Sequence, residues 1–145
     1  MKIIVKENAD IQETIITINC HQKDADIQQI TDYLSQFYQT LTCKKDKHIY
    51  QIYIKDIYYI ESVDDKTFIY VQNEFYECTY KLYELESLLK EHDLIRISKS
   101  CLLNLRYLES VKVLVYGKYE ATLINHEKLI ISRKYMPAFK KAFGL

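Results

Sequence analysis

The alternation of short β-prone runs with turn residues from Ile49 onward is the feature that most constrains the fold. Runs rich in isoleucine, valine, threonine and tyrosine are separated by residues that suit tight turns, among them Gln72-Asn73, Gly117 and Asn125-His126. β-branched and aromatic side chains favour strands, whereas glycine and asparagine tolerate the left-handed backbone of a turn. Residues 49–145 are therefore predicted to form one mainly β domain with short helices.

The β-prone runs and two apolar stretches give the predicted elements of this domain. A leucine stripe over residues 82–89 marks a short helix that Thr79 could cap, and residues 136–143 suit a final helix. Pro137 is acceptable there because its missing N–H falls in the first helical turn. Strands are predicted at 49–54, 57–62, 67–72, 74–79, 101–103, 108–116, 119–124 and 128–131.

Residues 1–40 are predicted to form a separate, small β-β-α segment, which makes the whole chain α+β. Strands are expected at 2–6 and 13–19, where β-branched residues concentrate. Apolar residues then recur at helical spacing up to Phe37, and either Asp24 or Asp26 could cap the start of that helix. The polar residues 41–48 are predicted to be a connector between this segment and the β domain.

Composition excludes several classes of protein. Of the 145 residues 48% are apolar and only three are glycine or proline, which argues for a folded chain without long linkers. No apolar run is long enough to cross a membrane and no signal-peptide pattern is present, so we expect a cytoplasmic protein. The four cysteines and four histidines are scattered without metal-ligand spacing, and we expect neither a metal nor a cofactor.

Charge is distributed unevenly although the formal net charge is zero. Residues 1–40 hold three lysines against six acids, and the remaining 105 residues hold 17 cations against 14 acids. From Arg133 to the end there are four cations and no acidic side chain. An acidic front and a basic tail suit a regulator with one partner-facing segment and one surface that meets an anion.

Two short phrases place cationic residues at the ends of β runs. The first is Arg96-Ile97-Ser98-Lys99-Ser100-Cys101-Leu102-Leu103-Asn104, and the second is Leu129-Ile130-Ile131-Ser132-Arg133-Lys134-Tyr135. Lys99 projects if its neighbours face inward, although a projecting lysine is commonly only a solvated charge. Arg133 could pair with guanine or with a nearby glutamate, and Lys134 suits a phosphate. The amide of Asn104 is expected to brace the next loop.

The two phrases resemble signature stretches of the LytTR family of bacterial DNA-binding domains, and the resemblance runs from about Ile49 to Phe143. It implies a LytTR-type, β-sandwich-like domain whose loops enter successive major grooves of double-stranded DNA. The resemblance implies that Arg133, Lys99 and Thr67 approach bases or the groove. Phosphate contacts are expected from the residues beside them, namely Lys134, Lys66, Ser98, Ser100 and Tyr135.

The resemblance also implies a response-regulator-like transcription regulator that binds two half-sites as a homodimer. A phosphoacceptor domain commonly precedes this domain in the family, and about 48 residues cannot hold one. Regulators with a short front segment are similar to those restrained by a small multi-pass membrane protein. We therefore expect residues 1–40 to bind a twin chain, a membrane inhibitor, or both.

Two other classes of function compete with DNA binding. An enzyme would have to use Glu61, Asp64 and Asp65 with His48 or His126, but none of these lies in a motif of known mechanism. We therefore expect no catalysis and no small-molecule substrate. The second alternative is a non-enzymatic protein-interaction module that docks an acidic or membrane partner.

Overall fold

The computed structural model describes residues 1–145 and contains three α-helices and ten strands. The helices are Ala25–Gln36 (α1), Leu82–Leu88 (α2) and Met136–Phe143 (α3). The strands are Thr40–Lys45 (β1), His48–Tyr53 (β2), Tyr59–Val63 (β3), Lys66–Val71 (β4), Glu74–Cys78 (β5), Leu94–Ser98 (β6), Cys101–Asn104 (β7), Leu108–Val113 (β8), Tyr119–Leu123 (β9) and Lys128–Ile131 (β10).

All strand pairs are antiparallel and form two sheets. The larger sheet has seven strands in the order β2-β1-β5-β4-β3-β7-β6, and the smaller has the order β10-β9-β8. Most neighbouring strands are also consecutive in sequence and are joined by tight turns, as expected for antiparallel sheets. The mainly β fold expected from the sequence is thus confirmed for the domain.

The buried side chains form two clusters, one on each side of the large sheet's centre. One joins the sheet to α2 and contains Leu85, Leu89 and Leu102, while the other joins both sheets to α3 and contains Ile131 and Phe139. The cores therefore hold the two sheets and their connecting turns in fixed relative positions. No helix in the structure is both long and apolar enough to span a membrane.

The predicted strands at 2–6 and 13–19 are wrong. Residues 1–24 contain no strand, and every side chain in that stretch is exposed. A strand is stable only when its backbone groups pair with a neighbour, and no such neighbour lies beside these residues. The helix of the predicted β-β-α segment does form, and the Asp24 carboxylate caps it by accepting from the Ile27 N–H at 2.9 Å.

The predicted connector at 41–48 is also wrong, because most of it is β1. Leu41 and Cys43 are buried in the core, while the alternate residues face outward. This alternation is the mark of a half-buried strand, and the flanking lysines obscure it in the sequence. The β domain therefore begins at Thr40.

Helix ends differ from the predictions in one case. The N-cap residue of α2 is Lys81, not Thr79. The Lys81 backbone N–H donates to the Glu84 carboxylate at 3.3 Å. The side chain of Glu84 thus satisfies a backbone donor at the helix start. Pro137 lies in the first turn of α3, as predicted.

Candidate nucleic-acid interface

Three segments that each present an exposed cation lie at one end of the large sheet and are tied together by backbone hydrogen bonds, although Asp64 and Asp65 make the first of them net acidic. They are the β3–β4 turn, the β6–β7 turn and the residues that follow β10. The Ser62 N–H donates to the Ser100 carbonyl at 2.8 Å, and the Ser132 N–H donates to the Ile97 carbonyl at 2.9 Å. These bonds join residues far apart in sequence, so the scaffold fixes the relative positions of the three segments.

Arg133 follows directly after the residue that anchors β10 to β6. The Ser132 hydroxyl also donates to the Ile97 carbonyl, at 3.2 Å, which holds the backbone from which Arg133 projects. The Arg133 side chain is exposed and makes no hydrogen bond or ion pair, so the alternative pairing with a glutamate is not formed. Its guanidinium is free to meet a ligand.

Gly117 lies against the stem of Arg133. A Cβ added at Gly117 would lie 3.4 Å from the Arg133 Cγ, an ordinary van der Waals contact, and the glycine has a φ of +72°. Such a φ disfavours other residues, so the backbone rather than the neighbouring arginine favours glycine here. The sequence predicts Gly117 only as a turn residue, because its contact with Arg133 depends on how the sheets pack.

The β6–β7 turn presents Lys99 and is braced from behind by Arg96. The Arg96 side chain donates to the Ser98 carbonyl at 2.7 Å and to the Lys99 carbonyl. It also forms an ion pair with the Glu86 carboxylate at 2.6 Å. Lys99 is exposed and has no partner. Sequence reasoning gave Arg96 no role, although it opens the first phrase, because its contacts come from the fold of the turn and from α2.

The hydroxyls of Ser98 and Ser100 are engaged within this turn. The Ser98 Oγ accepts from the Ser100 N–H at 3.2 Å and lies 3.4 Å from the Ser100 Oγ. Both residues are half-buried. Their first role in the structure is therefore to shape the turn that presents Lys99.

Thr67 is a correction to the predicted site. Its side chain is only 2% exposed and lies on β4 opposite Cys78, so it has no surface to offer a base. Lys66, one residue earlier, is exposed at the end of the β3–β4 turn. The sequence did not predict a further cation at this turn, Lys81, whose Nζ donates to the Asp65 carbonyl at 3.2 Å.

Lys134 and Tyr135 occupy a short 3-10 turn between β10 and α3. Lys134 is exposed, and its Nζ lies 5.6 Å from the centroid of the half-buried Tyr135 ring. The Tyr135 N–H donates to the Ser132 carbonyl at 2.9 Å, which closes the turn. The buried Phe139 anchors α3 below, so this turn also stands on a rigid element.

The acids proposed for an enzyme are not brought together with the histidines. His48 begins β2 and His126 lies between β9 and β10, whereas Asp64 and Asp65 form the β3–β4 turn. No group of three or more potential metal ligands is close enough to hold an ion. Burial raises the pKa of the Cys101 thiol beneath the β6–β7 turn, which disfavours the nucleophilic thiolate.

A rigid β scaffold that presents free cations from three adjacent loops is typical of a nucleic-acid-binding protein. The family model for the LytTr DNA-binding domain matches residues 47–144. The chain therefore belongs to the LytTR family of DNA-binding domains.

Relatives and a solved structure agree with this assignment. An uncharacterized HTH-type transcriptional regulator of Staphylococcus aureus is 26% identical over 147 residues, covering 100% of this chain and 99% of its own. The transcriptional regulatory protein LytR of S. aureus is 28% identical over 116 residues, covering 80% of this chain and 47% of its own. The LytTr domain of a protein assigned as a methyl-accepting/DNA response regulator of Bacillus cereus superposes with a TM-score of 0.70 at 22% identity. The match covers 74% of this chain and 98% of that domain's chain.

The fold differs from what the relatives' name suggests. A helix-turn-helix unit needs two helices joined by a short turn. Here five strands separate α1 from α2, and five more separate α2 from α3. The chain therefore contains no helix-turn-helix unit.

Proposed function

We propose that the chain is a transcription regulator that binds promoter DNA sequence-specifically, with the cationic loops entering major grooves. The observation that supports this most directly is the unpaired, exposed guanidinium of Arg133 at the end of an anchored strand. Arginine can donate two hydrogen bonds to the O6 and N7 of guanine, which distinguishes that base from the others. Because promoter DNA is the proposed partner, we place the protein in the cytoplasm.

The other cations have different proposed roles. Lys99 enters or flanks the groove, while Lys134 and Lys66 contact phosphates, which position the protein without distinguishing bases. Ser98, Ser100 and Tyr135 can add phosphate contacts only in addition to the hydrogen bonds that shape their turns. Thr67 has no part in this proposal.

Anisotropy titrations against the gene's own upstream duplex and a scrambled duplex test the proposal. We expect Arg133→Ala to weaken binding to the specific duplex by about 1–3 kcal/mol and to leave the scrambled duplex nearly unchanged. Lys134→Ala should weaken both duplexes by similar factors. Lys47→Ala is the matched control, because the β1–β2 turn lies at the other end of the strands.

Two results would contradict the proposal. If Arg133→Ala weakens both duplexes equally, Arg133 does not contact bases. If the unmodified chain binds both duplexes equally and weakly, the protein-interaction module becomes the better description. Either outcome is independent of how the chain assembles, because the loops belong to a single copy.

We further propose that two copies bind two half-sites, in direct or inverted arrangement. The acidic, exposed N-terminal segment is the proposed contact to a partner chain, which is either a second copy or a small multi-pass membrane protein. No catalytic step is proposed.

A further inference from the structure

The first 23 residues, here called the arm, expose apolar side chains that a folded chain ordinarily covers. Ile3 and Val5 are each 83% exposed, and Ile15 is 77% exposed. The only backbone hydrogen bond of the arm is a local turn, in which the Ile11 N–H donates to the Asn8 carbonyl at 3.2 Å. Residues 14–18 are five consecutive β-branched residues, a composition that favours a strand once an edge is available.

Strand β2 offers such an edge. It is the outer strand of the seven-stranded sheet and pairs with β1 along its whole length without a register shift. It contains no proline, bulge or acidic residue, which are the usual means of blocking an edge. The opposite edge differs, since β6 has a bulge between Arg96 and Ser98 and is tied to Ser132.

The free backbone groups of β2 can be assigned from its turn. Asp46 and Lys47 both have positive φ, so β1 and β2 are joined by a two-residue turn flanked by the hydrogen-bonded pair Lys45 and His48. Hydrogen-bonded and non-bonded pairs alternate along an antiparallel ladder. The N–H and C=O groups of Ile49, Gln51 and Tyr53 therefore point away from β1 and lack partners.

Charge favours contact between residues 7–19 of the arm and this edge, although the arm as a whole has as many lysines as acids. Residues 7–19 contain three acids, Glu7, Asp10 and Glu13, and no cation. Residues 40–55, which form β1, β2 and the turn that follows, contain four lysines against Asp46 alone. The arm makes no backbone hydrogen bond with β2 of its own chain. A second copy of the chain supplies both a β-prone arm with this acidic stretch and an open, lysine-flanked β2 edge.

We infer that residues 13–19 of one copy add as a further strand to the open edge of β2 in a second copy, and reciprocally. The inference rests on the dimer proposed above and identifies the surfaces that form it. Six strand spacings of about 4.8 Å separate β2 from β6, so the docking edge lies roughly 29 Å from the β6–β7 turn. Arm docking and DNA contact can thus occur together.

The test is the mass of the full chain in solution, measured by light scattering during size exclusion. We expect a dimer for the unmodified chain and monomers for two variants, Ile16→Pro in the arm and Ile49→Pro at the edge. Proline removes the N–H that the added strand needs, and is tolerated on an edge strand. The matched controls are Ala9→Pro, in the turn of the arm, and Ile49→Thr, which retains the N–H; both should remain dimeric.

Mixing the two proline variants gives the decisive result. Each alone lacks either both arms or both edges, whereas a mixed dimer combines one intact arm with one intact edge. We therefore expect the equimolar mixture to form dimers at concentrations where neither variant does. Circular dichroism checks that each variant is folded, and Tyr53→Pro replaces Ile49→Pro if that variant unfolds.

Other outcomes would overturn the inference in distinguishable ways. A monomeric unmodified chain would exclude a second copy as the occupant. A dimer that survives Ile49→Pro and Tyr53→Pro would exclude the β2 edge and indicate pairing between arms or between α1 helices. Binding to a duplex with one half-site should be unchanged in the monomeric variants, so a failure of the DNA-binding proposal is separately visible.

Discussion

Asn104 illustrates how one buried side chain joins two loops at the end of β7 that is opposite the β6–β7 turn. Its Nδ2 donates to the Ile57 carbonyl at 2.7 Å, and its Oδ1 accepts from the Arg106 N–H at 3.0 Å. The sequence predicts this bracing role in preference to a DNA contact, and the structure confirms it. A polar group buried at 3% exposure is stabilising only while both bonds are made.

Replacing Asn104 should therefore destabilise the domain. We expect Asn104→Ala to lower the free energy of unfolding by about 1–3 kcal/mol, because it leaves a buried carbonyl and a backbone N–H without partners. Urea denaturation of the two proteins measures the difference. Asn125→Ala is the matched control, since its bond to the Gln72 carbonyl lies at the surface and its loss should have a smaller effect. Equal losses would contradict the account.

At the scale of elements, the contact between α1 and the domain is only half-buried. No residue of α1 is fully buried, and the residue pair His92 and Gln39 joins the loop after α2 to the segment after α1, with Nε2 and Oε1 3.0 Å apart. Burial lowers the pKa of His92, partly opposed by Asp93 and Glu91. The folded state therefore favours the neutral imidazole.

This shift gives a pH dependence of stability with a definite sign. In the pH window between the lowered pKa of the folded state and the unfolded value of about 6.5, the unfolded chain binds more protons than the folded chain. The contribution of His92 to the free energy of unfolding is thus complete above that window and is lost as pH falls through it. We expect the free energy of unfolding to fall less steeply with acidification in His92→Gln, as measured by urea denaturation across this range. Parallel curves would assign the dependence to other groups.

At the scale of the whole molecule, a net charge of zero means that DNA affinity must come from a local concentration of cations. Each phosphate contact releases counterions and steepens the decline of affinity with salt. We expect Lys66→Ala and Lys134→Ala each to reduce the slope of log affinity against log salt by about 0.9. Anisotropy titrations over a range of salt concentrations measure the slope. Lys47→Ala should not change it; a similar reduction in that variant would indicate diffuse attraction.

The sequence by itself determined most elements of the β domain and the position of its cationic segments. Most strands and helices from Ile49 onward follow from the period of apolar residues and from turn residues, which act over a few neighbours, but strand β6 was not among those predicted. The prediction of Lys128–Ile131 as a strand and of 136–143 as a helix is confirmed to the residue. The roles of Arg133, Lys99 and their neighbours in binding DNA stay predictions.

Only the tertiary structure decided which of these residues are accessible and which elements find partners. Thr67 is buried because it shares the core-facing side of β4 with Ile69, and β1 forms because Leu41 and Cys43 reach a core made by distant residues. The arm has strand-forming composition yet makes no backbone hydrogen bond to any strand of its own chain. Hydrogen bonds and packing contacts between residues far apart in sequence determine these outcomes, and local propensity does not predict them.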